Sequence, residues 1–344
     1  MARIVFADDG IEFDGKTLEE RALGGVESSV ILMMEEFAKR GHEVIVRNKC
    51  KAAMTYKGVE WAPIEQGLPD EADLYIANRG DKLIDLMPRA KKTVFWTHNP
   101  CRYMVKWRYI KKFWKVRPII VFIGSYHAKT LPNWVPDGGR KVIPYGIPDM
   151  FRHAVERTEP SAPRAVFTSN PLRGLDWLLD RWENEIYPHA NTAELHLFTG
   201  PAVYGSVGAD KAAVMKKVLD RAESMKDQGV TLRGPVAKAT LIEELQQARV
   251  MLYRGDINET YCLAVAEAQA LGTPTVVQDF GSMAERVVDG KTGVVAQTDK
   301  AFSDGAVKLL NDDAHWAEQH KNCLAMQRNW GWEQACAAFE ELME

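Results

Sequence analysis

The stretch Gly255-Asp256-Ile257-Asn258-Glu259-Thr260-Tyr261-Cys262-Leu263-Ala264-Val265-Ala266-Glu267-Ala268-Gln269-Ala270-Leu271-Gly272-Thr273-Pro274-Thr275-Val276-Val277 decides how this chain reads. It follows an apolar run at 249–253 that predicts a strand, and it holds two glutamates eight residues apart. Glu259 falls in a loop, and Glu267, about two turns further on, falls inside a helix predicted over 262–271. Gly272 stops that helix and Pro274 opens a strand over 274–277. A helix start reached through such a loop presents backbone N–H groups and a partial positive charge, which suits a diphosphate. A carboxylate beside it can accept hydrogen bonds from sugar hydroxyls, and one further along can take a ribose diol. The apolar neighbours Leu263, Ala264, Val265, Ala266 and Ala268 imply a buried Glu267, and a buried carboxylate needs a partner.

Outward from this stretch, short β-branched runs alternate with segments of helical period. Strands are predicted over 3–8, 43–47, 73–77, 92–97 and 119–123, with an amphipathic helix over 26–40 that stops at Gly41. The polar segment 152–164, with two prolines, reads as a linker. Beyond it the alternation restarts: strand 165–169, helix 174–185, strand 194–199, helix 209–227, strand 230–232 and helix 238–247. Such alternation predicts an α/β chain of two Rossmann-like, doubly wound parallel-sheet domains facing a cleft. Ligands of such sheets bind outside the carboxyl ends of the strands.

Composition narrows the function. The 344 residues are 46% hydrophobic and 26% charged, which is ordinary for a globular protein and long enough for two cores. The 44 basic and 47 acidic residues leave a net charge of −3, which excludes nucleic-acid binding through bulk positive charge. No G-x-G-x-x-G follows either first strand and no G-x-x-x-x-G-K-[ST] occurs, so nicotinamide and ATP-hydrolysing readings lack their phosphate loops. The five cysteines are odd in number and form no C-x-x-C pair. With neither a signal-peptide core nor a membrane-spanning apolar run, they place the expectation in the cytoplasm.

The segment from Glu259 to Val277 resembles the E-x7-E signature of retaining GT-B glycosyltransferases of the bacterial group 1 kind, with Tyr261 for the usual Phe and Cys262 for the usual Gly. Gly281-Ser282-Met283-Ala284-Glu285 and Asp289-Gly290-Lys291-Thr292-Gly293 resemble that family's G-x-x-E and D-G-x-x-G segments. The resemblance implies a GT-B fold, with an acceptor-side domain over 1–150, a nucleotide-sugar domain over 151–325, and a C-terminal helix over 326–344 crossing back. It implies retaining transfer of a hexose-type sugar from a nucleoside diphosphate sugar to a saccharide or lipid-linked acceptor, without a metal. Cell-surface polysaccharide, lipopolysaccharide or glycolipid synthesis is the implied setting. A sugar-nucleotide epimerase, an inverting transferase and a catalytically silent scaffold subunit remain alternatives at this stage.

Site residues follow by matching positions. Gly24 and Gly25 resemble the N-terminal glycine loop, and His98 the strand-end histidine near the anomeric centre. Arg173 falls on the lysine that holds the leaving diphosphate, although Ser169-Asn170 stand where an arginine is usual. Arg254 is the candidate second cation. Glu259 implies a hold on sugar hydroxyls, Glu267 on the ribose, and the amides of Tyr261, Cys262 and Leu263 on the diphosphate. Gly200, Arg233 and Gly234 lie where the family lines the nucleotide pocket. The run Val142-Ile143-Pro144-Tyr145-Gly146-Ile147-Pro148 resembles the hinge, with Tyr145 for the common Asn, and is given no chemistry.

Residues 102–117 carry seven basic residues, five aromatics and no acid. As one helix they would align Tyr103, Trp107, Ile110 and Trp114 on a stripe. Trp107, Arg108, Lys111, Lys112, Trp114 and Lys115 then form a candidate patch for an anionic membrane or acceptor, at the inner face of the membrane. No DNA- or RNA-binding motif accompanies it.

Overall fold

The computed structural model describes residues 1–21, 23–200 and 211–344. The chain divides into two compact units, Met1–Gly146 with Trp330–Glu344, and Ile147–Asn329.

The first unit is built on eight strands: β1 (Arg3–Asp8), β2 (Glu43–Asn48), β3 (Met54–Tyr56), β4 (Val59–Pro63), β5 (Ala72–Asn78), β6 (Ala90–Trp96), β7 (Ile119–Phe122) and β8 (Arg140–Val142). They lie in the order β3-β4-β2-β1-β5-β6-β7-β8. Every pair is parallel except β3 with β4. Ile4, Val5, Phe6 and Ala7 of the central β1 are fully buried, as a strand covered on both faces requires. The β3–β4 pair has no counterpart in the sequence reading, because its short segments show no strong alternation. Helix Gly25–Lys39 buries Val30, Met33, Met34 and Phe37. Helix Trp332–Glu340 packs beside it, with Phe339 edge-on to Phe37 and to Trp96.

The second unit holds β9 (Arg164–Phe167), β10 (Glu194–Leu197), β11 (Val230–Leu232), β12 (Val250–Tyr253), β13 (Thr275–Gln278) and β14 (Gly293–Ala296). Their order is β11-β10-β9-β12-β13-β14, with all pairs parallel. The helix predicted over 209–227 runs over Ala212–Ser224; residues 209 and 210 lie outside the described residues.

Segment 152–164 is not a free linker but part of the second unit. The Arg157 guanidinium lies 4.9 Å from the Trp316 ring and donates to the carbonyls of Gln246 and Ala248. The Arg157 backbone N–H donates to His320 Nε2 at 2.9 Å. Prolines and polarity mark an irregular path, and here that path is pinned down.

Each sheet reverses its winding once, between β1 and β5 in the first unit and between β9 and β12 in the second. Binding crevices of doubly wound sheets open at such points, on the carboxyl side.

Candidate active site

In the second unit the two loops flanking the reversal carry the motif residues. The loop after β9 brings Arg173, and the loop after β12 brings Glu259. Arg173 Nη1 donates to Glu259 Oε2, and Tyr253 OH donates to the same oxygen at 3.0 Å. Partial burial opposes the charge on Arg173, but the Glu259 carboxylate outweighs it and holds the pKa above the ordinary value. Burial, reinforced by Cys262 and Glu259, pushes the Tyr253 phenol up, so it stays protonated as a donor. Gly281 makes this geometry possible. At φ +59° its missing Cβ would lie 2.5 Å from the Asp256 carbonyl oxygen and 2.6 Å from that of Glu259, while Ser282 N–H donates to the Glu259 carbonyl.

The predicted helix starts at Leu263 and ends at Ala270. Its N-cap, Cys262, is left-handed at φ +66° and supplies no side-chain cap. For a residue with a Cβ this conformation costs about 1–2 kcal/mol, which explains why glycine is the usual residue there. Burial keeps the Cys262 thiol protonated. Tyr261 is buried under the Arg286 guanidinium, 4.3 Å from its ring. Glu267 is buried, and the partner it needs is Lys238 at the start of helix Lys238–Gln247, whose Nζ donates to Oε1. The Lys238 ammonium also lies 5.0 Å from the Phe151 ring.

Arg254, the candidate second cation, is engaged by neighbouring side chains. Its guanidinium lies 5.0 Å from the Trp177 ring and 5.4 Å from that of Phe280, and Nε donates to Gln278 Oε1 at 3.1 Å. Gly200 and Pro235 are in close approach, so the loops after β10 and β11 meet. Gly234 is left-handed at φ +73° with open space around it. Arg233 turns its guanidinium to Glu244 at 2.7 Å.

In the first unit a polar chain lines the carboxyl ends of β1, β5 and β6. Asp8 and Asn78 are register partners, and Asn78 Nδ2 donates to Asp8 Oδ1 at 2.8 Å. Asn78 Oδ1 meets His98 Nε2 at 2.6 Å, and the Tyr145 hydroxyl meets His98 Nδ1 at 2.6 Å. With Asn78 oriented by Asp8, His98 donates through Nε2 and accepts from Tyr145. Burial, then the nearby Arg79 charge, lowers the His98 pKa well below 6.5 and keeps the ring neutral. Arg79, itself left-handed at φ +51°, donates to Asp8 and to Glu27. Glu27 folds back over Gly24, the N-cap of helix Gly25–Lys39, and Gly25 is exposed.

Sequence reasoning missed Lys238, Tyr253, Asp8, Asn78 and Arg79, and set Tyr145 aside. Polar residues at the last position of buried strands were the available signal for Asp8 and Asn78. Among the described residues no group of three or more His, Cys, Asp or Glu is arranged to hold a metal ion.

The basic segment also differs from the expectation. Cys101–Val105 is a separate 3₁₀ turn, and the α-helix begins only at Trp107. Tyr103 is therefore off the stripe, and Ile110 is buried with Tyr109 and Phe113 against Phe95. Lys112 and Lys115 both meet Asp85, at 2.6 and 3.7 Å, and Arg108 meets Asp81 at 3.4 Å.

Residues 162–312 match the family model for glycosyl transferases group 1. The chain has the GT-B fold. It aligns with sucrose-phosphate synthase of Thermosynechococcus elongatus at TM-score 0.75, with 15% identity over 99% of this chain and 98% of that one. HepE of Anabaena, solved with UDP and glucose, aligns at TM-score 0.71, with 14% identity over 99% of each chain. Among curated relatives, a D-inositol 3-phosphate glycosyltransferase of Xylanimonas cellulosilytica is 33% identical over 32% of this chain and 26% of its own length. A lipopolysaccharide 1,2-N-acetylglucosaminetransferase of Salmonella typhimurium is 25% identical over 41% of this chain and 38% of its own. The chain thus spans about a quarter to two fifths of the length of these curated relatives.

Proposed function

We propose that this protein is a retaining glycosyltransferase that moves a hexose-type sugar from a nucleoside diphosphate sugar to an acceptor hydroxyl. The observation that carries the reading is the convergence of Arg173, Glu259 and the start of helix Leu263–Ala270 at the reversal of the second sheet. When the bond from the anomeric carbon to the diphosphate oxygen breaks, negative charge develops on the diphosphate. The guanidinium of Arg173 and the amides around Cys262 stabilise that charge. A guanidinium has five N–H donors in a planar fork, so Arg173 can serve Glu259 and phosphate oxygens together. Glu259 holds sugar hydroxyls, and Glu267 takes the ribose diol in exchange for Lys238. Side-chain cations replace a metal in this scheme.

His98 enters as a neutral group of fixed tautomer rather than a general base, since both ring nitrogens are engaged. UDP-sugars are the first donors to try, because HepE and TarM of S. aureus were each solved with UDP. The proposed acceptor is a saccharide or lipid-linked saccharide of cell-surface glycan synthesis.

Acceptor-dependent release of nucleoside diphosphate, with the anomeric configuration of the product read by NMR, tests the proposal. Release with retention supports it. An inverted product removes the retaining mechanism. If no nucleoside diphosphate sugar raises the melting temperature and none is turned over, the reading fails.

A further inference from the structure

Three tryptophans of the first unit stand about two-thirds exposed: Trp107 at 68%, Trp114 at 66% and Trp134 at 64%. Indole is a costly group to leave in water, and three together on one face call for a partner. Trp107 and Trp114 are seven residues apart on helix Trp107–Val116, which puts them on the same face about 10 Å apart along the axis. Lys111, at i+4 from the first, stands between them and is exposed. Trp134 comes from the loop before β8. It lines one open cavity of about 560 Å³ together with Trp114, Arg117 and Pro136, so Trp114 links Trp134 to the helix face that carries Trp107.

Some of the charges are already paired: Arg108 meets Asp81, Lys112 and Lys115 meet Asp85, and Arg140 meets Asp137 at 2.7 Å. Arg102, Lys106, Lys111 and Arg117 are exposed. Among the described residues none of these four makes an ion pair. A chain with net charge −3 therefore concentrates unneutralised cations around three exposed indoles.

We propose that this face docks on an anionic lipid bilayer, with Trp107, Trp114 and Trp134 seated at the headgroup level. Lys106, Lys111 and Arg117 would lie against the lipid phosphates and carboxylates. The aromatic component decides the occupant. A polyanion in water is held by the cations alone, whereas a headgroup layer also takes the apolar bodies of the indoles and leaves their N–H groups wet. The docking rests on no transferase activity, so it stands or falls separately from the proposed reaction.

The test is co-sedimentation of the full chain with phosphatidylserine-rich vesicles and with pure phosphatidylcholine vesicles. Three variants are compared: Trp107→Ser/Trp114→Ser/Trp134→Ser, Lys106→Gln/Lys111→Gln, and Lys112→Gln as a control. All these side chains lie at the surface or are half-buried, and unchanged far-UV circular dichroism and melting confirm folding. Wild type should bind the anionic vesicles and not the neutral ones. The tryptophan variant should lose roughly tenfold or more. The double lysine variant should lose about fivefold per charge, and Lys112→Gln less than either. Failure of wild type to bind overturns the proposal, as does binding that the tryptophan variant leaves unchanged. Binding to heparin or an oligonucleotide as tight as to anionic vesicles, and insensitive to the tryptophans, identifies a polyanion site and also overturns it.

Discussion

Truncation of Glu267 offers the sharpest check on the proposed donor site, because its magnitude follows from an exchange of partners. The Glu267 side chain is 8% exposed, and its carboxylate is taken by Lys238, whose side chain is 43% exposed. A ribose diol on that carboxylate makes charge-assisted hydrogen bonds of about 1.5–3 kcal/mol. It must first displace the ammonium, and a half-exposed ion pair contributes about 0.2–1 kcal/mol. Glu267→Ala should therefore weaken UDP binding by about 1–2 kcal/mol, or roughly 5–30-fold. Lys238→Ala removes the competitor and should tighten UDP by up to about fivefold, the opposite sign at the same site. Titration calorimetry on the two variants and the double variant measures all three numbers, and circular dichroism controls for folding. Wild-type affinity in Glu267→Ala would refute the ribose assignment. Weaker binding in Lys238→Ala would refute the competition and make that lysine a phosphate ligand.

Three further outcomes follow from the geometry. Arg173→Ala should lower kcat by about 10²–10³, as expected for loss of one donor to a developing anion, with a smaller change in KM; a kcat within threefold of wild type in steady-state assays would contradict it. Gly281→Ala should abolish transfer and lower the melting temperature, because its Cβ meets two carbonyl oxygens at about 2.5 Å and left-handed backbone costs about 1–2 kcal/mol; an unshifted melting curve counts against that contact. Burial lowers the His127 pKa from 6.5 to about 4, and its Nδ1 accepts the Ile123 N–H, so the folded chain prefers the neutral ring. A depressed histidine is fully compatible with folding above pH 6.5 and costs stability as pH falls from there through 4. The cost reaches about 3 kcal/mol at pH 4, and His98, His196 and His320 shift in the same direction. Urea unfolding at pH 7 and pH 4.5 should show this loss in wild type, and a smaller one in His127→Gln.

What could be read ahead of the structure was whatever is local in sequence. The parallel strands are apolar runs, and the loop-to-helix path from Gly255 to Leu271 is written in its own glycines and spacing. Glu259, Glu267 and Arg173 could be singled out because motif spacing is a local property. Their partners Tyr253 and Lys238 could not, because these reach them through the fold. Lys238 is 29 residues before Glu267 and looks like any helix-start lysine. Arg254 illustrates the reverse case: an arginine beside a motif looks unengaged in sequence, yet Trp177 and Phe280 converge on it from distant segments. The basic segment shows how a small shift in helix start changes a surface. Extending helical period through Lys106 puts Tyr103 on the tryptophan stripe, whereas a helix that starts at Trp107 leaves it in a separate turn. Within the helix Ile110 lies about 60° round from Trp107, so it turns inward with Tyr109 and Phe113 while Trp107 and Trp114 stay outside. Seven basic residues in that run did not say which were already neutralised. That depended on Asp81 and Asp85, which the loop after β5 carries to the helix from more than twenty residues upstream. The docking proposal accordingly rests on Lys106 and Lys111 rather than on Lys112 and Lys115.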